Sequence, residues 1–564
     1  MTQTLLISIG LLALAWMAYR LPARLRLSRA KHRSLAGHAR IAKRVARLVP
    51  FYDFDASSFF DADAAPEEIR EARRGGFERL ARLFHQQRPR SISALNQLKG
   101  QVSDAAFIAR YRVPFQFSRL VREQLQAGVM VARSKHVHLT DLDRGDWLDV
   151  GGAYGVNVFS YDFYKDCLKE AEQVAGDLGP VLGPYHPVVL ETVRRLREVS
   201  GQDEVSFHMS GTEAVMQAVR MARYHTRRSH VVRFAGAYHG WWDEVQPGIG
   251  NPGQVGQVYT LEDMSEASLK VLATRSDIAC VLVNPLQALH PNRNAPGDGA
   301  LVSSRSAGFD REAYARWLRR LRQVCSERSI VLILDEVFLG FRLGRGGAQD
   351  WLDVRADLVT YGKTLGGGLP VGVVCGRSDL MQRYREDRPL DICFARGTFN
   401  AHPWVLAAMN AFLKRLDSEP VRAMYERLDE RWSERAERLN RALESADLPV
   451  RAAQLSSVFL LTYSSPSRYN WMFQFYLNSE GLLLPWVGTG RLIFSLNYTD
   501  EDFDSVVKRI VSAGRAMEAD GWWWHAEGAT NSTVGRAIVK EMLRARIRRQ
   551  RTSALPLSGV TIGS

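Results

Sequence analysis

From about residue 142 onward, short unbroken apolar runs alternate with longer stretches in which apolar residues recur every three or four positions. The runs are VSFHM (205–209), HVVRF (230–234), IACVLVNP (278–285), IVLILDEV (330–337), DLVTYGK (357–363) and GVVCGR (372–377). An uninterrupted apolar strand suits a sheet covered on both faces, and helical stretches such as TEAVMQAVRMARYH and DREAYARWLRRLRQVC supply the cover. The pattern predicts an α/β fold whose chemistry gathers at the C-terminal ends of its strands. Residues 35–110 read differently. They are rich in Arg and Ala and predict helices, as in PEEIREARRGGFERLARLF (66–84), with no evident chemistry.

The first 19 residues carry no charge, and residues 5–19 read LLISIGLLALAWMAY. As a helix, those fifteen residues reach roughly 23 Å, short of a ~30 Å hydrocarbon core. With the uncharged residues 1–4 included and Arg20 snorkelling, a span becomes feasible. The basic residues Arg20, Arg24, Arg26, Arg29, Lys31 and Arg33 follow the apolar run, whereas a signal peptide has its charge in front. Residues 1–22 are therefore expected to be a transmembrane anchor. Residues 23–109 are expected to be a basic, mostly helical extension, and the positive-inside rule places the body in the cytoplasm. The alternative is a buried or interfacial helix on a soluble cytoplasmic protein. Near the other end, Trp522, Trp523 and Trp524 precede the basic stretch GRAIVKEMLRARIRRQR. That combination suits either a membrane interface, with lipid as partner, or a Trp cluster packed on the core ahead of a solvated tail.

Composition narrows the classes. A chain of 564 residues is too long for one core, and 46% apolar with 24% charged residues excludes wholesale disorder. The five cysteines are never closer than 18 residues, so no metal knuckle or disulfide-stapled fold is expected, and no metal site. The net charge of +14 is concentrated at the ends. Residues 1–50 hold ten Lys/Arg and no acid, and residues 536–551 hold seven Lys/Arg and one Glu. The body is near neutral, which argues against nucleic acid and for anionic lipid as partner of the ends.

Four features fall where predicted strands end. VSFHM runs into Ser210, Gly211 and Thr212 at a helix start, whose free N–H groups and hydroxyls suit a phosphate. HVVRF leads to Tyr238 and His239 in a turn. IVLILDEV carries Asp335, an acid costly to bury without a cationic partner. DLVTYGK ends on Lys363 before three glycines, which leave room over the lysine. Phosphate cradle, stacking aromatic, buried Asp and reactive Lys are together what pyridoxal phosphate requires.

With HMSGTEAVMQAVRMAR, FAGAYHG, LDEVFLGFR, YGKTLGGGLPVG and GTFNAHPWVLAAMNAFL, residues from about 110 to 517 resemble the class III aminotransferases. These are fold type I pyridoxal-phosphate enzymes, and the closest flavour is glutamate-1-semialdehyde aminomutase. The resemblance implies a large domain at 185–400 with a seven-stranded, mostly parallel sheet. It implies a small α+β domain from 110–184 and 401–517, and leaves 518–564 as a tail. It makes Lys363 the Schiff-base lysine and Asp335 the partner of the pyridine nitrogen. Val337 and Tyr238 would take the two ring faces, and Ser210, Gly211 and Thr212 the phosphate. Thr398 is similar to a residue that reaches the neighbouring subunit's cofactor, which implies a homodimer. Tyr154 falls where the family pocket has an aromatic. Arg119 falls near a carboxylate-binding arginine, although its context, QFSRLVREQL, also reads as a surface helix.

The chain departs from the family at two places. Asn284-Pro285 stands where Glu-Pro is usual. LLPWVGTGRLIFSLNYTDEDFD has no acid before Asp500, whereas the aminomutase has a gating Glu. The missing gate acid and the expected anchor disfavour the aminomutase, so the favoured reading is an aminotransferase acting between an amino-acid donor and an aldehyde or ketone. An aminomutase and a non-catalytic membrane-tethered scaffold are the alternatives. An anchor would suit a lipophilic acceptor, with a wide apolar pocket around Tyr154, Tyr238 and Trp486.

Overall fold

The computed structural model describes residues 2–32, 39–105, 113–246, 256–290, 307–485 and 490–553. Strands β1 (Val131–Lys135), β2 (His138–Asp141) and β3 (Asp146–Asp149) form an antiparallel meander, and Leu482–Leu483 pairs parallel beside β3. The central sheet has seven strands: β4 (Glu204–His208), β5 (His230–Phe234), β6 (Val258–Leu261), β7 (Ile278–Val283), β8 (Val331–Asp335), β9 (Leu358–Gly362) and β10 (Gly372–Gly376). Their order is β4-β10-β9-β8-β7-β5-β6. Only β10 runs against its neighbours, so the sheet is mostly parallel, as expected. Every residue of β7, β8, β9 and β10 is buried, which accounts for their unbroken apolar sequences. A third sheet, Val450–Leu455, Val458–Tyr463 and Arg491–Ile493, packs its Phe459 against Trp432, Phe494 and Phe503.

The reversed strand matters for the site. Its first residue, Gly372, pairs with both His208 and Gly362, so it lies at the C-terminal ends of β4 and β9. A Cβ at Gly372 would collide with the Ser210 carbonyl oxygen. The glycine therefore lets the turn after β4 close over the sheet.

Within 23–109 the described residues include the helices Ala39–Ala46, Ala56–Phe60, Glu67–Gln87 and Pro89–Leu98, and they are not an appendage. The helix Glu67–Gln87 buries Phe77, Leu80 and Phe84. Its Arg73 is fully buried, bonded to both oxygens of Asp63 at 2.7 and 2.8 Å and to the carbonyls of Phe60 and Gly521. Pairing and bonding of this kind are what make a buried guanidinium tolerable. The Trp cluster joins the same core. Trp522 is 0% exposed, donates to Tyr476 Oη at 2.7 Å and lies beside Phe60 and Tyr469. The membrane-interface reading of these tryptophans is thereby corrected. The basic tail is the helix Asn531–Ser553, held by its single acid: Glu541 accepts from Tyr52 at 2.6 Å and Arg468 at 2.8 Å.

The transmembrane anchor is also corrected. Among the described residues no helix is long and apolar enough to cross a membrane. The apolar run is the first part of one helix, Thr2–Ala30, which continues through Arg20, Arg24, Arg26 and Arg29. Its far end docks on the central sheet. Ala30 is buried, its carbonyl accepts from Glu262 N at 2.9 Å, and Lys31 bridges Leu261 on the edge strand β6. With no span among the described residues, the positive-inside rule has nothing there to orient. All five cysteines are buried and unpaired.

Candidate active site

Four loops meet at the C-terminal end of the central sheet. Ser210 caps the helix Gly211–Thr226, its hydroxyl accepting from Glu213 N at 3.2 Å. The first helical N–H groups are thus oriented beside the Ser210 and Thr212 hydroxyls. Gly211 lies close against Val337, the second residue after β8, and a Cβ there would overlap the valine methyls. Gly362 packs on the same valine. Gly240, at φ +96°, lies against Thr212, which brings the 235–240 turn next to the helix start.

Asp335, the last residue of β8, is 2% exposed. Its Oδ2 pairs with His239 Nδ1 at 2.8 Å, and its Oδ1 accepts from Val337 N at 3.2 Å and Thr360 Oγ1 at 3.4 Å. His239 is itself buried, and its Nε2 is without a hydrogen-bond partner. One strand over, Lys363 follows β9 with φ 48°, and its Nζ donates to the Tyr154 carbonyl at 2.9 Å beside the Phe338 ring. Burial holds the Lys363 amine down to about 8, against the pull of Asp335, and Arg342 adds to the lowering. A lysine partly relieved of its proton near neutral pH is a competent nucleophile and base.

Tyr238 is half exposed at the mouth, and its carbonyl is bonded by Asn284 Nδ2 at 3.0 Å. Asn284 also caps the short helix Pro285–Leu289 through its Oδ1. A carboxylate at 284 would face the Tyr238 carbonyl with no proton to give, which is a local reason for the departure from Glu.

The geometry brings together Ser210, Gly211, Thr212, Val337, Asp335, Tyr238, Lys363 and Tyr154. Thr398 is exposed in a turn whose preceding residue, Gly397, lies against Glu213 at the helix start. Arg119 is half exposed and its guanidinium is engaged by Asp53 at 2.8 Å. Trp486 lies outside the described residues. The buried acid, the lysine with lowered proton affinity and the hydroxyl-lined helix start fit pyridoxal phosphate.

The family model for class-III aminotransferases matches residues 121–513. The chain belongs to the class-III aminotransferases. Such an aminotransferase depends on pyridoxal phosphate. A curated relative is the glutamate-1-semialdehyde 2,1-aminomutase of Methanocaldococcus jannaschii, 28% identical over 69% of this chain and 92% of its own length. The corresponding enzyme of Methanococcus vannielii is 29% identical over 63% and 84%. Among solved structures, a transaminase with pyridoxal phosphate bound shares 25% identity at TM-score 0.58, covering 74% of this aminotransferase and 98% of its own chain. The glutamate-1-semialdehyde aminomutase of Pseudomonas aeruginosa, 19% identical at TM-score 0.63 over 79% and 99%, shares the fold.

His239 had been legible only as an imidazole in a turn. Its pairing with Asp335 joins two turns 96 residues apart in the chain, and no local pattern shows that.

Proposed function

We propose that this aminotransferase moves an amino group from an amino-acid donor to an aldehyde or ketone, with Lys363 and Asp335 as its catalytic residues. The observation that carries the reading is their placement: Asp335 ends β8 and Lys363 directly follows the adjacent β9, beside the helix start at Ser210, Gly211 and Thr212. Bound pyridoxal phosphate supplies an electron-accepting ring. Lys363 Nζ would hold the cofactor and, once displaced by the donor amine, would move the proton between substrate Cα and the cofactor's C4′ carbon as general base. Asp335 would keep a proton on the ring nitrogen, with His239 orienting its carboxylate. Val337 and Tyr238 would flank the ring. Arg119 would bind a donor carboxylate only after leaving Asp53. Lys363→Ala should lose turnover together with the borohydride-reducible colour. Asp335→Asn should keep the cofactor and lose roughly 10²-fold or more in kcat. Near wild-type kcat in either variant would remove that residue from the mechanism.

The aminomutase reading is favoured by the names of the curated relatives. A requirement for separate donor and acceptor supports transamination. Isomerisation of glutamate-1-semialdehyde without either supports the mutase.

A second copy of this chain is the partner we infer for the face around Thr398. Leu390 there is 97% exposed and Phe394 72%, with Ile392 and Phe399 beside them. Apolar exposure on that scale calls for cover. Phe394→Asp should sediment as a monomer where the wild type is a dimer, and an unchanged dimer removes this face from the interface. For the basic ends the inferred partner is an anionic lipid surface that they lie on. The helix Asn531–Ser553 exposes Val539, Leu543 and Ile547, four residues apart on one side. The helix Ala39–Ala46 exposes Ile41 and Val45, and Arg546 ties the two helices by donating to the Leu48 carbonyl at 3.0 Å. A lipophilic acceptor is proposed together with that surface.

A further inference from the structure

Behind Lys363 lies a buried carboxylate that the mechanism above does not use. Asp149 ends β3 and is almost fully buried. Its Oδ1 accepts from Gly151 N at 3.0 Å and Gly152 N at 2.9 Å. Its Oδ2 accepts from Tyr161 Oη at 2.7 Å and Asn157 Nδ2 at 3.4 Å. The turn it grips is costly. Ala153 and Tyr154, neither of them glycine, follow one another in the left-handed region at φ 44° and 59°. Gly152 lies against the Ile493 backbone and Gly155 against the Phe338 ring, so the turn is wedged as well as bonded. The product of this arrangement is one carbonyl, that of Tyr154, aimed at Lys363 Nζ at 2.9 Å.

We propose that Asp149 is a positioning residue for Lys363: by gripping the turn at 151–154 it fixes the Tyr154 carbonyl where the Lys363 amine rests whenever the cofactor does not hold it. The proposal rests on Lys363 being the cofactor lysine. A carbonyl acceptor favours the protonated amine, and a released turn removes that preference. The other groups bearing on the amine are the Asp335 carboxylate, the buried Arg342 guanidinium and the Phe338 ring. None of them is bonded to Asp149 or substituted in the variants below, and two of them, Arg342 through the Gly155 carbonyl and Phe338 against Gly155, rest on the end of the same turn.

The test uses full-length cofactor-free protein. The rate of Lys363 acylation by acetic anhydride is followed against pH by peptide mass spectrometry. Asp149→Ala should move the Lys363 titration to lower pH by roughly 0.5 or more. Asp149→Asn retains an acceptor for the two glycine N–H groups and should restore the wild-type profile. Tyr161→Phe removes one bond and should shift the profile the same way by less. If Asp149→Ala does not fold, Tyr161→Phe against wild type decides. An unmoved titration in folded Asp149→Ala, or in Tyr161→Phe when that variant must decide, overturns the proposal. A separate arm reduces the cofactor-loaded protein with borohydride. Label on another lysine would overturn the Lys363 assignment, a different result from an unmoved titration.

Discussion

Lys363 combines a left-handed backbone with a half-buried amine, and its lowered proton affinity makes a stability signature independent of turnover. In the unfolded chain the amine holds its proton up to about 10.5, and in the cofactor-free fold only to about 8. Between those values the unfolded state binds more protons, so this group makes stability rise with pH. Below 8 the fold carries the full cost of a charged amine in a poorly solvated place, and above 10.5 the cost is gone. Lys363→Met removes the titration. In urea melts of cofactor-free protein, the variant's advantage over wild type should be larger at pH 7.5 than at pH 10. A margin that does not change with pH would mean that the amine titrates normally. Asp335 shows the complementary device, a buried acid kept in use by His239, Val337 N and Thr360 rather than by a free cation.

Strand ends, more than strands, assemble this site, and Gly372 is the most exacting of them. Its missing side chain lets β10 lie against the Ser210 carbonyl, so Gly372→Ala must push the helix start away from Val337. The expected result is weaker cofactor retention on dialysis, by roughly tenfold or more, with a cost to stability of about 1–3 kcal/mol from overpacking. Unchanged retention would mean that the turn adapts. The strands themselves were legible because burial on both faces leaves an apolar run that needs no partner to be recognised. Lys363, Asp335 and Ser210 were legible because each interrupts such a run or follows it. The reversal of β10 was not, since direction is set by pairing, and GVVCG reads alike either way. The fate of Trp522 was equally hidden. Trp beside basic residues suits lipid and core alike, and only the partners Phe60, Tyr469 and Tyr476, all distant in sequence, decide for core. Arg119 shows the same ambiguity, since the pairing with Asp53 across 66 residues decides its present use.

At the scale of the whole molecule, the first and last described helices both pack on the body, yet both leave apolar side chains outside. On the first helix Leu12, Trp16 and Tyr19 are exposed ahead of its arginines, and Arg20 stacks over Trp16. On the last helix Val539 and Leu543 are exposed beside Lys540 and Arg544. The single acid of that helix's basic stretch is consumed by Tyr52 and Arg468, so the outward charge is basic. Apolar side chains among cations suit an anionic lipid surface on which a helix lies without crossing. Such a surface would bring a long-chain carbonyl compound to the enzyme, since each methylene favours burial by ~0.8 kcal/mol. The full-length protein should float with phosphatidylserine-containing vesicles and release at high salt, and it should not float with zwitterionic ones. Val539→Asp combined with Leu543→Asp, or removal of residues 1–32, should weaken flotation. The same changes should lower kcat/KM for long aldehydes presented in vesicles while leaving short soluble aldehydes unaffected. If flotation is lost but the long-chain preference stays, the lipid surface only locates the enzyme. If the protein never floats, the apolar ends serve a protein partner instead, and the lipophilic acceptor loses its support.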